Sequence, residues 1–158
     1  NSDYYYSNRG MIKYDLGNYF DAILDYNRAI ELGPNEDTYY GMRGLSEFKS
    51  GMIDEAAEDY KKAISLKPDE IEYYYRLANI YLLKKDYNGA TLHYEKMLSL
   101  CAEQGGNVLD PLGVSYLVKC YLRYARVKVA QGDYQAAQEM ITKSIELDPS
   151  LDVDNAGD

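Results

Sequence analysis

The sequence predicts an all-α fold: antiparallel helix pairs stacked side by side as a solenoid. Three observations predict it. Residue types recur at a step of 34, apolar residues within each step fall at helical spacing, and Gly and Pro punctuate the steps at matching places. Each helix pair buries only one stripe and needs its neighbours to complete a core, so repetition itself implies stacking.

The step is visible in several series that keep one register. Gly10 and Gly44 are 34 apart, as are Gly17 and Gly51, Ala29 and Ala63, and Pro34 and Pro68. Ala22, Ala56 and Ala90 keep the same interval, and so do Tyr26, Tyr60 and Tyr94, and Tyr6, Tyr40 and Tyr74. The segments GNYFDAILDYNRAIELGP, GMIDEAAEDYKKAISLKP and KDYNGATLHYEKMLSL are one pattern. A fourth copy, GDYQAAQEMITKSIELDP, follows after 13 extra residues, since Ala90 to Ala137 is 47. The copies therefore run 3–36, 37–70, 71–104 and 118–151, with an insertion at 105–117 and a short acidic tail at 152–158. Together, 1–151 form one expected domain.

The elements follow in order. First helices carry an apolar stripe such as Tyr74, Leu77, Ala78 and Tyr81, spaced i, i+3, i+4, i+7. Gly17 and Gly51 end the first helices, because glycine adopts the positive φ of a helix C-terminus. Second helices carry Ala22, Tyr26, Ala29 and Ile30, again on one face. Small Ala and Gly let the two helices approach, and Tyr fills the space beside them. Pro34 and Pro68 close the second helices, since proline disfavours helical geometry in the residue before it. Asn35 and Asp69 are then expected to cap the next helix. The third copy lacks both signals, with Lys85 and Ala102 at those places, so its second helix is expected to run past Leu100. In the insertion, Asp110-Pro111 reads as a helix start, predicting about 20 helical residues from Pro111 to Gln131. The insertion is either a tolerated loop expansion or a ridge walling one end of a binding groove.

Taken together, the aromatic–x3–Gly/Ala openings (Tyr6/Gly10, Tyr40/Gly44, Tyr74/Ala78, Tyr121/Ala125), the turn glycines, the Ala–x3–Tyr pairs and the closing prolines resemble the tetratricopeptide repeat (TPR) family. The resemblance covers about nine-tenths of the chain. It implies a right-handed α-α superhelix with a concave, peptide-holding groove lined by first helices. It also implies a non-enzymatic scaffold or adaptor that binds proteins.

Composition narrows the function further. Seventeen Lys+Arg against 26 Asp+Glu give a net charge of −9, which argues against a nucleic-acid binder. No apolar run is long enough to span a membrane. Two Cys and one His supply no metal centre, and no cofactor or catalytic motif is visible. His93 is expected to face solvent. Acids such as Asp54, Glu55, Glu58 and Asp59 are expected on helix surfaces, as solubility. The chain begins without Met and is expected to be a fragment; its cysteine usage favours a cytoplasmic setting.

Two groups stand out as binding candidates. The chain has 19 Tyr, and 11 of them fall at repeat packing positions: Tyr6, Tyr19, Tyr26, Tyr40, Tyr60, Tyr74, Tyr81, Tyr87, Tyr94, Tyr121 and Tyr134. Tyr5, Tyr39 and Tyr73 share a phase suited to packing on the preceding copy. Tyr4, Tyr14 and Tyr75 lie opposite the core stripe, and the resemblance puts that face in the groove. Tyr suits such a face, with large area and few rotamers to order. Asn8 and Asn79 are expected to bond the partner's backbone, and Met11 and Met42 to offer adaptable apolar contact. The second group is basic. Between Pro111 and Gly132 there are four basic residues and no acidic one, and Lys119, Arg123 and Arg126 share one helix face. Arg76 occupies the place of Arg123 one copy earlier. An acidic partner would be steered there. Some TPR adaptors clamp a chaperone's C-terminal carboxylate; Lys119 and Arg123 match one clamp pair, but Gly41, Leu45 and Arg76 break the rest. Two further readings are self-association through the N-terminal copy, where Tyr5 has nothing before it, and a regulatory segment of a larger enzyme.

Overall fold

A computed structural model describes residues 2–106, 109 and 115–151. The described residues contain eight α-helices: α1 (Ser2–Asp15), α2 (Tyr19–Leu32), α3 (Asp37–Ser50), α4 (Ile53–Leu66), α5 (Ile71–Leu83), α6 (Tyr87–Glu103), α7 (Tyr116–Ala130) and α8 (Tyr134–Leu147). A 3-10 turn at Pro149–Leu151 follows. The contacts divide the chain into two compact units, Asn1–Tyr73 and Tyr74–Asp158. In the first, α1 packs on α2, α2 on α3, and α3 on α4; in the second, α6 packs on α7 and α7 on α8.

Within each unit the helices meet at small residues. Ala22, Ala29, Ala56, Ala63 and Ala90 are wholly buried, and Ala137 nearly so. Tyr26, Tyr60 and Tyr94 fill the volume beside them and are equally enclosed. Gly10 shows why the opposing place is small: a Cβ there would meet the Tyr26 ring at 3.0 Å. In the first unit the same chemistry recurs at two joints. The Tyr39 hydroxyl donates to Asp3 at 3.3 Å, and the Tyr73 hydroxyl donates to Asp37 at 2.6 Å. Both rings are buried. Tyr5, which shares their register on α1, is 59% exposed.

The helix ends obey local chemistry. Gly33, Lys67 and Asp148 each precede a proline, and each leaves the helical region with φ of −138°, −136° and −140°. The first helices close through one hydrogen-bond pattern. The N–H of Asn18, Met52, Asp86 and Asp133 reaches back five residues, to the carbonyls of Lys13, Glu47, Tyr81 and Lys128, each at 2.9 Å. That turn requires a positive φ. Gly17, Gly51 and Gly132 adopt it, and Lys85 is forced into it at 60°. Without a proline at 102, α6 does run past Leu100, until Gly105 and Gly106 turn the chain.

Several expectations are corrected. The expected helix over Pro111–Gln131 begins only at Tyr116, because Ser115 is extended and its hydroxyl caps the helix by accepting from Val118 N–H. Asp110 and Pro111 lie outside the described residues, as does the tail 152–158. Asn35 and Asp69 are not caps: α3 starts after Glu36, which makes no side-chain cap bond, and α5 starts two residues beyond Asp69. Tyr134 is 71% exposed and takes no part in the core. Tyr116 and Tyr124, left without a packing role in the sequence, are buried. His93 is half-buried and stacks on Tyr81, with ring centroids 5.2 Å apart.

The largest correction concerns charge. Asp59 was expected on the surface but is buried, as is Asp25 one step earlier. Each carboxylate takes both arms of an arginine from the facing helix. Arg9 donates to Asp25 from Nε at 2.8 Å and from Nη2 at 2.5 Å; Arg43 donates to Asp59 from both atoms at 2.6 Å. Arg9 and Lys13 hold Asp25 below the ordinary carboxylate range. A second carboxylate, Glu47, is buried beside Arg43 and Asp59, and its Oε2 has no hydrogen-bond partner. Burial and the Asp59 charge push its carboxyl up to about 8.

Two predictions follow from these features. Replacing Lys85 by Gly relieves the left-handed strain. The variant should gain about 0.5–1 kcal/mol, read as a melting temperature about 1–4 °C higher by circular dichroism; no gain would show that the turn is unstrained. For Glu47, a raised folded-state value means the proton is held in the fold and released on unfolding. Its contribution is full below the ordinary glutamate value of about 4.3 and drains away as pH rises towards 8. Glu47→Gln should therefore stabilise by about 1–3 kcal/mol near pH 8 and change little near pH 4. Melting curves at both pH values check this, and an equal shift at both would refute it.

Candidate partner-binding surface

The expected site residues fall into two sets, one in each unit. In the first unit, α1 carries Tyr4, Asn8, Met11 and Tyr14, and α3 carries Met42. Tyr4 is 65% exposed and Met11 46%, so their apolar surface meets water. Asn8, Tyr14 and Met42 are half-buried. Tyr14 leans on Tyr19, with centroids 5.4 Å apart, which links α1 to the start of α2. Sequence reasoning missed the polar groups between these residues. Arg9 lies one residue from Asn8 and Arg43 one from Met42. The Arg9 guanidinium lies over both Tyr5 and Tyr6, at 5.4 and 5.3 Å from their centroids. Arg43 lies over Tyr40 and also donates from Nη1 to Asn27 Oδ1 at 2.7 Å, tying α3 to α2. The signal was present: Arg9 and Arg43 are 34 apart, as are Asp25 and Asp59.

In the second unit, α5 supplies Tyr75, Arg76 and Asn79, and α7 supplies Lys119, Arg123 and Arg126. Aromatic contacts bring these helices together. Tyr75 meets Tyr116 edge-on, with centroids 5.6 Å apart. Tyr94 of α6 stacks on Tyr124 at 5.8 Å, and its hydroxyl donates to Asn79 Oδ1 at 2.7 Å. Lys119 lies over the Tyr116 ring at 5.5 Å, and Lys128 lies over the Tyr124 ring at 5.1 Å. Such contacts hold ammonium groups against a ring without neutralising them.

Arg123 and Arg126 differ from the arginines of the first unit. Arg9 and Arg43 are neutralised by buried aspartates, and Arg28 pairs with Glu31. Arg123 and Arg126 are exposed, and among the described residues neither forms an ion pair. Glu95, on the neighbouring α6, accepts instead from the Tyr124 hydroxyl at 2.8 Å. Burial pushes the Tyr94 hydroxyl well above the ordinary tyrosine range, while the positive charges of Arg123 and Arg126 pull the other way. Both guanidinium groups thus lie within electrostatic reach of the Tyr94–Asn79 pair.

Other chemistry is sparse. Cys101 and Cys120 are buried free thiols, and burial raises both above the ordinary thiol range. A raised thiol is a poor nucleophile. Among the described residues no cluster of His, Cys, Asp and Glu could hold a metal ion, and no helix is long and apolar enough to cross a membrane.

Comparison with known proteins agrees with this architecture. Tetratricopeptide repeat family models match residues 3–36, 44–85, 71–104 and 118–151. No curated protein matches the chain in sequence. Among solved structures, a crystal structure of MamA protein superposes with a TM-score of 0.82 at 21% identity, covering 95% of this chain and 75% of that one. MamA from Desulfovibrio magneticus RS-1 gives 0.77 at 20%, covering 93% and 76%. The first TPR of Spaghetti (RPAP3), bound to the HSP90 peptide SRMEEVD, gives 0.70 at 17%, covering 83% and 94%. At these identities the likeness concerns the fold, which is the all-α TPR solenoid. The chain belongs to the tetratricopeptide repeat family, whose members bind peptides or proteins.

Proposed function

We propose that the chain is a non-enzymatic binding module that grips an acidic protein segment. The observation that carries this reading is the pair Arg123 and Arg126: exposed, without an ion pair among the described residues, in a chain of net charge −9. A solvated arginine stripe costs nothing, but arginines that meet no carboxylate among the described residues favour an external one. Lys119 and Arg76 extend the positive surface, and Tyr75 and Asn79 supply apolar and polar contact beside it. In the first unit, Tyr4, Asn8, Met11, Tyr14 and Met42 take contact roles. The RPAP3 domain is bound to SRMEEVD, an acidic peptide, so a similar fold supports anionic segments. Lys119 and Arg123 match one pair of a carboxylate clamp and Asn8 one further position, but Gly41, Leu45 and Arg76 break the rest, so the segment here is held differently from a clamped chaperone tail. The repeat division 3–36, 37–70, 71–104 and 118–151 is part of this reading.

The test uses a fluorescently labelled, end-blocked tetraglutamate peptide and its anisotropy on titration. Reversing charge at Arg123 and Arg126 together should weaken binding by more than about tenfold, on the order of 1.4 kcal/mol. Unchanged affinity would end the assignment of this face.

A second reading rests on a separate observation. Tyr5 and Ile12 lie along one face of α1 and Leu16 follows its end; they are 59%, 57% and 71% exposed. The residues of matching register on α3, Tyr39 and Ser46, are buried where α3 packs on α2. We propose that this face joins two copies of the chain. Sedimentation should show a mass that rises with concentration, and Tyr5→Ser with Ile12→Ser should remain monomeric. A parent protein that stays monomeric throughout would remove the idea.

A further inference from the structure

We infer that Tyr94 locks the Asn79 carboxamide, so that this face of the second unit offers hydrogen-bond donors only and selects an oxyanion over an amide. The inference rests on the binding role proposed above for α5 and α7, and it names what that face recognises.

Tyr94 is wholly enclosed, and its ring is fixed by stacking on Tyr124. A buried O–H needs an acceptor, and Asn79 Oδ1 at 2.7 Å is the one this hydroxyl has. A carboxamide carries one acceptor oxygen and one NH2 group. The oxygen is engaged inward, which leaves the NH2 for the half-exposed side of Asn79. Rotating the amide by half a turn would point NH2 at the hydroxyl and strand the hydroxyl hydrogen without a partner. The orientation is therefore set by the core and not by solvent.

The neighbours match. Asn79 and Arg126 occupy the same register on successive first helices, 47 apart, as do Arg76 and Arg123. Arginine has donors and no acceptor. Asn79, Arg123 and Arg126 thus present N–H groups alone. A carboxylate or a phosphate brings acceptors alone to such donors. A carboxamide places its own NH2 against at least one and leaves it unpaired, which is how a polar site rejects a near-isostere. Tyr94 touches no ligand and acts as a positioning residue.

The experiment compares end-blocked tetraglutamate, end-blocked tetraglutamine and orthophosphate as probes, with NMR observation of the Asn79 side-chain NH2. The parent protein should bind tetraglutamate with a shift of those NH2 resonances and bind tetraglutamine at least about tenfold more weakly. Competition by orthophosphate would identify phosphate as a second source of the same oxyanion chemistry; its absence would restrict the site to carboxylates. Tyr94→Phe frees the amide to turn and should lower the preference for tetraglutamate by about threefold or more. Asn79→Asp keeps an acceptor for Tyr94 and removes the outward donors, so it should weaken tetraglutamate by about tenfold. An NH2 signal that stays still at saturation, or equal affinity for the two peptides, overturns the inference. So does an unchanged preference in Tyr94→Phe together with unchanged tetraglutamate affinity in Asn79→Asp. If charge reversal at Arg123 and Arg126 still abolishes binding in that case, the binding face stands and only the lock falls. If that reversal also has no effect, the proposed function falls with it.

Discussion

Two helices can come together along their backbones only where the facing residues are small, and the fold depends on that contact. Ala22, Ala56, Ala90 and Ala137 hold this position on the second helices and are buried at or close to zero exposure. The ring of Tyr26, Tyr60 or Tyr94 then lies beside the contact at a fixed height. Ring and alanine together fix how closely the two helices of a pair approach. The turns serve the same geometry. Gly17, Gly51 and Gly132 reverse the chain within a few residues, and Lys85 does so despite its side chain. That a lysine tolerates a left-handed backbone shows how strongly the packing on either side dictates the turn.

Burial then explains the polar features. The packed helices enclose hydroxyls and carboxylates that must find partners or be displaced in protonation. In the first unit the partners are arginines, which bring two parallel bonds to Asp25 and to Asp59. Glu47 arrives third at a site with one guanidinium and two carboxylates, so it holds a proton that an exposed glutamate would lose. In the second unit the enclosed hydroxyl of Tyr94 uses Asn79, and that of Tyr124 uses Glu95. Either way, an interior requirement decides which polar atoms remain on the outside, and those atoms are what a partner meets.

Much of this was legible in the residues. Periodic small residues, closing prolines and turn glycines are local signals, and each produced the element expected of it. The basic stripe was legible too, because charge is counted without knowing contacts. What escaped was set by distant neighbours. Asp59 read as a surface acid, since its arginine lies 16 residues earlier on the facing helix and only the shared step of 34 links Arg9 and Arg43 to Asp25 and Asp59. His93 read as exposed because its stacking partner Tyr81 lies on another helix. The start of α7 was misplaced because Asp110-Pro111 is a strong signal and Ser115 a quiet one, yet Ser115 caps the helix. Of the candidate site, the sequence located the side chains, while the inward hydrogen bond of Asn79 depends on a residue 15 positions away.

The arginine–aspartate pair does not recur in the third copy. At the register of Arg9 and Arg43 the second unit carries Leu77, and at that of Asp25 and Asp59 it carries His93. One half of the molecule is braced at this level by ionised groups, the other by hydrocarbon and stacked rings. Strong acid weakens the Arg9–Asp25 pair of the first brace, while the Leu77 and His93 level of the second holds no carboxylate. The two halves are thus built to loosen under different conditions, and a chain of similar-looking parts need not come apart all at once.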